Sequence, residues 1–362
     1  MTVDTLHADF SPGASALLAH LIASHGVDSS GYDPASPPYA VFDCDNTTLF
    51  RDVQDAVLTE QLARLTFGLT ADALGGVLER GIELPHLLDL LHDSMEHLAL
   101  LRGESGTLED THRASHQLAL TVKLRALYHA LGEHHSDGFA CSWVTRLYAG
   151  LTPSQVHDLA RSAYVAEQSR PVAHARQTSP EGLRGRAGVV DVTWPQGLRP
   201  FEPMITLFEA LERAGFEVWI CSASFEHIVR AAVCGGPLGY SVRASHVMGM
   251  RLELDDRGRF LATPPASCVD THGGGKTRNI DHHVASRLGS SPALVAGDSN
   301  GDAPMLAAYP DAARLILNRH LDGPISELCA LASDPTRRVA LQGRDESRGV
   351  LIPKPDSILT AP

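Results

Sequence analysis

The chain of 362 residues, 43% apolar and 20% charged, has a globular composition and length for two domains around a proper core. Its formal charge of -13, with no run of Lys or Arg, argues against a nucleic-acid partner or an anionic membrane surface, since either needs a concentrated basic face. An anionic ligand would have to be drawn by local cations or helix N-termini.

The first dozen residues, MTVDTLHADFSP, carry Asp4 and Asp9 where an export signal has a basic segment, and "ASALLAHLIA" is far short of a membrane span. An unexported, cytoplasmic chain is expected. Six cysteines at irregular spacings, with no CxxC pair, suggest neither a zinc site nor a disulfide framework. Residues 13–25 read as a short amphipathic helix and "SSGYDPASPPY" as a turn-rich connector, so 1–38 forms an N-terminal helix and connector. The strand "YAVFDCD" follows.

From about Asp52 to Arg170 the apolar period becomes 3.6, in stretches such as "DAVLTEQLARL", "LPHLLDLLHDSMEHLALL" and "HQLALTVKLRALYHAL", which predicts five or six helices. A loop rich in Pro, Gly, Arg and Ser, "RPVAHARQTSPEGLRGRAG", leads back to β/α alternation, so 52–188 reads as a helical cap with its return loop. The return continues with helix "PMITLFEALERAG", strand "FEVWICS", helix "FEHIVRAAV", a hairpin-like "MRLELDDRGRFLA", helix "KTRNIDHHVASRLG", strand "ALVAGDS", helix "APMLAAY" and strand "ARLILN". Alternation with right-handed crossovers predicts an α/β, doubly wound parallel-sheet (Rossmann-like) core from 39–51 and 189–330, with an all-helical cap inserted after the first strand. Residues 331–362 form a C-terminal extension without an assigned role.

Ligands of such sheets bind beyond the C-terminal ends of the strands. Four places there carry polar residues: Asp43 and Asp45 with Thr47, Ser222 after "VWIC", Lys276 after "HGGG", and Asp298 with Asp302 in "AGDSNGD". Strand geometry turns Asp43 and Asp45 to one side and Cys44 to the other. A third carboxylate from Asp298 would complete an oxygen-rich, negative pocket of the kind Mg²⁺ prefers. Lys276 and the Ser222 hydroxyl add donors for a tetrahedral anion. Asp43, ionised at neutral pH, needs no activating base to attack phosphorus once charge on the phosphoryl group is neutralised. Asp45 is placed to protonate the leaving alkoxide and then to take a proton from water.

"FDCDNT", "ICSAS", "GKTRNI" and "GDSNGD", in that order on a β/α chain, resemble the four motifs of the haloacid-dehalogenase-like (HAD) hydrolase superfamily. The resemblance implies that Asp43 becomes the phospho-aspartate and that Asp45 is the general acid/base whose backbone carbonyl also binds Mg²⁺. It implies that Ser222 and Lys276, with Thr47 beside them, hold phosphate, that Asp298 is a Mg²⁺ ligand with Asp43 and Asp45, and that Asp302, with Asn300, supports the site. The acid at position 45 is similar to phosphatases and phosphotransferases of that superfamily, and the insert to the caps of phosphoserine-phosphatase-like members. Two departures stand out: Ala223-Ser224 follows Ser222 where that group has Gly-Gly, and Gly301 precedes Asp302 where it has Asn.

"DCDNTTLFRDVQDAVL", "VWICSASFEHIVR" and "LQGRDESRGVLIP" look closer to the phosphorylcholine phosphatase branch. That branch implies an acid shortly after the first motif that holds a quaternary ammonium. Asp55 falls at the matching offset, with Asp52 nearby, and Trp143, Tyr148, Trp194 and Phe50 are aromatic candidates for the same cation.

Simpler readings stand beside these. Asp302 could cap a helix, and Asp52 and Asp55 could merely complement a helix dipole. "GGGKT" lacks the first glycine of a phosphate-binding loop, "DSNGDAPMLAAY" lacks the glycine and glutamate of a calcium loop, and the histidines form no HExxH. Cys44 and Cys221 suit core packing. The expectation is a Mg²⁺-dependent phosphomonoester hydrolase acting on a small soluble ester, phosphorylcholine or a related phosphorylated amine. The alternatives are a phosphoserine phosphatase-like enzyme, a phosphotransferase, or a regulator that binds phosphorylated ligands without turnover.

Overall fold

A computed structural model describes residues 8–359; residues 1–7 and 360–362, and with them Asp4, lie outside the described residues. Helix α1 (Pro12–His25) begins after Ser11, whose hydroxyl accepts the Ala14 N–H, and leads to β1 (Tyr39–Phe42). A two-residue strand β2 (Leu49–Phe50) precedes helices α2 (Val53–Arg64), α3 (Ala71–Leu78), α4 (Pro85–Leu101), α5 (Asp110–His134), α6 (Asp137–Thr145) and α7 (Pro153–Ser169). Strands β3 (Ala173–Thr178), β4 (Asp191–Gln196) and β5 (Arg199–Pro200) follow, then α8 (Glu202–Arg213), β6 (Glu217–Phe225), α9 (Glu226–Val233) and β7 (Val247–Met250). The last part holds α10 (Gly274–Ile280), α11 (Ser286–Leu288), β8 (Leu294–Gly297), α12 (Ala303–Ala308), β9 (Ala313–Leu317), α13 (Pro324–Ala330), β10 (Val339–Asp345) and β11 (Val350–Ile352).

The central sheet runs β11-β10-β9-β8-β1-β6-β7, parallel throughout except for the antiparallel β10–β11 pair. Numbered in chain order, its six parallel strands lie 3-2-1-4-5-6, the doubly wound order that reverses beside β1. Every residue of β1 is buried, as a central parallel strand requires. Ala40, Phe42 and Cys44 pack with α1, α8 and α9, whereas Tyr39 and Val41 pack with Ile280, Met305 and Leu306 on the other face. The ligand-binding end is therefore where the chain leaves β1, β6 and β8.

Helices α2 to α6 share a second core around fully buried Trp143, whose Nε1–H donates to the Leu78 carbonyl at 2.8 Å. Helix α2 is two-sided: Val53, Ala56 and Val57 belong to the main core, Leu58 and Leu62 to the cap core. Its first turn thus faces the junction where the cap covers the sheet.

Two expectations are corrected. The cap is not all-helical: the supposed return loop of 170–188 contains β3, which pairs antiparallel with β4 from Ala173↔Gln196 to Thr178↔Asp191, a hairpin that straddles position 189. Val192 and Trp194 pack on Val122 of α5, and the hairpin's connection is pinned by Asp93, which accepts from Lys123 Nζ at 2.7 Å and from the N–H groups of Arg186 and Ala187 at 2.9 and 3.0 Å. The segment 331–359 is not an appendage either, because β10 continues the sheet against β9 with Leu341 beside Ile316. Ser11 locks α1 onto it through the Gln342 Oε1 and the Leu341 carbonyl, both at 2.7 Å. Among the described residues no helix is long and apolar enough to cross a membrane.

Candidate active site

Beyond Phe42 the chain curls instead of continuing as strand. Asp43 N–H still donates to Ala296 O of β8 at 3.0 Å, Thr48 Oγ1 donates to the Asp43 carbonyl at 2.6 Å, and Asn46 takes φ 62° to reverse direction. This turn sends the carboxylates of Asp43 and Asp45 into a cleft of about 310 Å³ that is also lined by Lys276, Asp298 and Asp302 from the core and by Gln54, Tyr128 and Asp137 from the cap.

Lys276, buried in the first turns of α10, sets its ammonium between two acids, 2.5 Å from Asp43 Oδ1 and 2.6 Å from Asp302 Oδ1. Glycine is required beside it, since a Cβ on Gly275 would lie 1.8 Å from the Asp270 carbonyl. Gly297 serves Asp302 in the same way, with room for a Cβ only 2.5 Å from the Asp302 Cβ. Asp302 does not cap α12 with its side chain; Oδ2 accepts the N–H groups of Asp298 and Ser299, both at 3.1 Å, and the Ser299 hydroxyl at 3.0 Å. Burial would raise the Asp302 carboxyl, but the charge and hydrogen bond of Lys276 outweigh it and hold it below the usual range. Burial and the Asp302 charge push Asp43 well up against the pull of Lys276, while the two acids hold Lys276 firmly protonated despite its burial.

Asp43, Asp298 and Asp302, all buried, present oxygens within 4.8 Å of one another. Asp302 takes Lys276 on Oδ1 and three donors on Oδ2, whereas Asp298 takes one donor on each oxygen and Asp43 takes Lys276 on Oδ1, so Asp43 and Asp298 keep the most acceptor capacity for an ion; the Asp45 carboxylate stands outside this cluster. Asp298 is gripped from two sides, by Thr47 Oγ1 at 2.9 Å and by Arg319 Nη1 at 2.7 Å. Three carboxylates of the cluster, Asp43, Asp298 and Asp302, face two cations, Lys276 and Arg319, and Asp45, Asp52 and Asp137 add further acid to the cleft, an excess of negative charge that a divalent cation would offset. Burial, then Asp302, raises the Asp298 carboxyl even with Arg319 against it. The donor set is all oxygen, which fits a hard divalent ion.

Asp45 turns away from that cluster toward the cap. It accepts the Val53 N–H and the Ser224 hydroxyl, each at 2.7 Å, and the Ser222 hydroxyl at 3.3 Å. Burial and then the Asp43 charge push its carboxyl up to about 7. Two acids two residues apart are thus chemically distinct: one grips a lysine, the other is poised to exchange a proton near neutrality.

Several expected roles change. Thr47, fully buried, holds Asp298 instead of facing the cleft. Ser222 is fully buried behind Asp45 and accepts the Ser224 N–H at 3.1 Å; Ser224 lines the cleft in its place. Asn300 lines the cleft, but its amide donates to the Asp322 carbonyl and accepts the Ile325 N–H at the start of α13 instead of bonding an acid. Asp52 lines the cleft while Oδ1 caps α2 through the N–H groups of Gln54 and Asp55. Asp55 instead pairs with the buried Arg125 at 3.3 Å, so the cation it holds belongs to this chain.

None of the four aromatic candidates lines the cleft. Trp143 is in the cap core, Tyr148 stacks on Phe225, Trp194 lies under the Arg125 guanidinium, and Phe50 packs on Phe201. Cys44 and Cys221 are fully buried, and burial raises both thiols, Cys221 to about 12, which makes them poor nucleophiles.

Three contributors escaped sequence reasoning. Ser224 was legible only as a departure from a motif. Arg319 follows β9 and Arg344 lies on β10, where no local pattern marks them. Arg344, 1% exposed, donates from Nη1 to the carbonyl and Oδ1 of Asn46, both at 3.1 Å, and ties the turn between Asp45 and Thr47 to the far side of the sheet.

No protein-family model matches the sequence, and no curated protein does. Among solved structures, a conserved protein of unknown function from Anaerococcus prevotii DSM 20548 is similar over 99% of this chain and 100% of its own, with a TM-score of 0.89 at 24% identity. That likeness establishes a shared fold over the matched span, the helical insert included. A phosphoserine phosphohydrolase-like protein from Francisella tularensis subsp. tularensis SCHU S4 matches at 12% identity, 80% and 92% coverage of this chain and its own, and a TM-score of 0.35. A phosphoserine phosphatase captured as a phospho-aspartyl intermediate analogue matches at 13% identity, 88% and 94% coverage and a TM-score of 0.36. Both scores are too low to carry an argument, so the functional reading rests on the site itself.

Proposed function

We propose that the protein is a HAD-type, Mg²⁺-dependent phosphomonoesterase that cleaves a small soluble phosphate ester through a phospho-aspartate on Asp43. The supporting observation is the convergence of Asp43 and Asp298, from strands far apart in sequence, around space for one ion, with Lys276 bonded to the attacking carboxylate. Asp43, Asp298 and the main-chain carbonyl of Asp45 would hold Mg²⁺, which supplies charge neutralisation for the phosphoryl group.

Burial and the Asp302 charge push the Asp43 carboxyl up; Lys276 opposes them, and with the divalent ion would favour the ionised form that attacks and lower its repulsion from a phosphate dianion. An Asp43 oxygen forms the bond to phosphorus as the ester P–O bond breaks, and the departing alkoxide takes the proton of Asp45. Asp45, then ionised, removes a proton from the water that attacks the phospho-aspartate; the P–O bond to Asp43 breaks and phosphate leaves. A carboxyl near 7 suits both halves of that cycle, since it is protonated and deprotonated in comparable amounts. The Ser224 hydroxyl, donating to Asp45, favours its ionised state. The cap residues bound the space left for the alcohol, which keeps the ester small.

Phosphate release from p-nitrophenyl phosphate, with Mg²⁺ and after chelation, in the unsubstituted protein and in Asp43→Asn, tests the proposal. Turnover should need the metal and vanish in the variant. Metal-independent turnover, or activity retained by Asp43→Asn, would overturn it.

A further inference from the structure

We infer that a second, non-catalytic site at the outer edge of the sheet binds a small phosphate-bearing anion between Arg230, Arg251 and Arg287. A cavity of about 450 Å³ lies there against the edge strand β7, and it shares no lining residue with the catalytic cleft. It gathers three arginines and two histidines on a chain whose formal charge is -13, and Glu226 is the one acid in its lining. Arg230 Nη2 pairs with Glu226 at 2.7 Å, while its buried Nε has no partner among the described residues. Arg287 is bonded to Glu217 and lies 5.5 Å over the Trp219 ring, itself stacked at 4.1 Å on His246, so its guanidinium is held in place.

Arg251 carries the inference. It follows β7 directly, is half-buried, and has no hydrogen bond or ion pair among the described residues. A guanidinium drawn out of water without a counter-charge is costly unless a ligand supplies one. Burial raises the Glu226 carboxyl against the charges of both Arg230 and Arg251, so one carboxylate answers two cations. Guanidinium forks meet phosphate oxygens in pairs, and a dianion brings the missing charge. The site also backs onto the supports of the catalytic groups. Asn279, 3% exposed, lines it and donates its amide to the carbonyls of Val269 at 3.0 Å and of Gly275 at 2.9 Å, the residue before Lys276. Opposite, a Cβ on Gly249 would lie 2.7 Å from the Glu226 Cα and 2.8 Å from the carbonyl of Ser224, whose hydroxyl bonds Asp45.

The test is calorimetric titration of the full chain with inorganic phosphate at constant ionic strength, with Mg²⁺ and after chelation. Without metal the acids of the cleft repel an anion, so binding that survives chelation reports the outer site. Arg251→Gln should weaken that binding about 10-fold or more, the worth of a hydrogen bond to a charged group. Arg184→Gln, which removes the same charge from an exposed position in the cap, should leave it unchanged. Hydrogen exchange of the unsubstituted, chelated protein should slow on adding phosphate in peptides covering 247–251 and 279–287, and not in 43–54. Binding only in the presence of Mg²⁺, an unchanged affinity in Arg251→Gln, an equal loss in Arg184→Gln, or protection confined to 43–54 would overturn the inference. None of these readouts depends on turnover, so failure of the proposed hydrolysis would leave the outer site to be judged by itself.

Discussion

Replacing Lys276 with methionine keeps most of the unbranched side chain and removes its charge from between Asp43 and Asp302. At the observed separations of 2.5 and 2.6 Å, each ion contact is worth about 6 kcal/mol in gross Coulomb energy at an effective dielectric of ~20. Most of that is offset by the cost of taking the ammonium out of water, and removing one partner of a buried pair typically destabilises by about 3–5 kcal/mol. The pH dependence separates this from simple loss of packing. The Asp302 carboxyl is held low, so its stabilising contribution is complete above the ordinary carboxylate value of ~3.9 and fades as pH falls through its folded value. In Lys276→Met the unpaired acids ride upward instead, destabilise at neutral pH and are relieved by protonation. Urea unfolding of chelator-treated protein should therefore show a gap of about 3–5 kcal/mol near pH ~7 that narrows toward pH ~4. A gap below ~1 kcal/mol, or one that ignores pH, would refute the reasoning.

Ser224→Ala removes a hydrogen bond that favours the ionised form of Asp45, so its carboxyl should move above about 7, and the alkaline fall in kcat for alkyl esters should shift to higher pH by roughly 0.5–1 unit; an unmoved profile would show that Asp45 is not the acid. Thr47→Val keeps shape but frees one oxygen of Asp298, and calorimetry should show Mg²⁺ binding weakened about 10-fold, as for other groups that orient a metal ligand. Asp55→Ala should lower stability by about 3 kcal/mol by stranding the buried Arg125, and should change KM for a cationic ester and for p-nitrophenyl phosphate alike, since Asp55 pairs with the protein and not with the cleft.

What could be read from the sequence followed from local chemistry. A central strand is apolar on both faces, so acids at its end stand out, and the return to β/α alternation after the cap is a change of period that needs no partner to be seen. The β3–β4 hairpin was hidden because β3 is largely exposed and its apolar signal rests on Val192 and Trp194 of the other strand. Strand β10 was hidden because buried Gln342 and Arg344 break its apolar alternation, and their partners, Ser11 and Asn46, lie some 300 residues away. Arg319 and Arg344 belong to the same class: which carboxylate or carbonyl a surface-looking arginine serves is decided by the sheet order, and no spacing encodes it. Motif reasoning named acids that the fold brings to one cleft, and Thr47 and Ser222, expected to contact phosphate, donate to the carboxylates of Asp298 and Asp45 in this structure.

Covalent attack by Asp43 would leave a mark on the protein itself. After acid quench of the protein turning over a phosphate ester with Mg²⁺, digestion and mass spectrometry should place one phosphoryl group on the peptide containing Asp43, and none on that peptide from Asp43→Asn. Steady turnover with no phosphorylated Asp43, or with the group on another side chain, would contradict the mechanism.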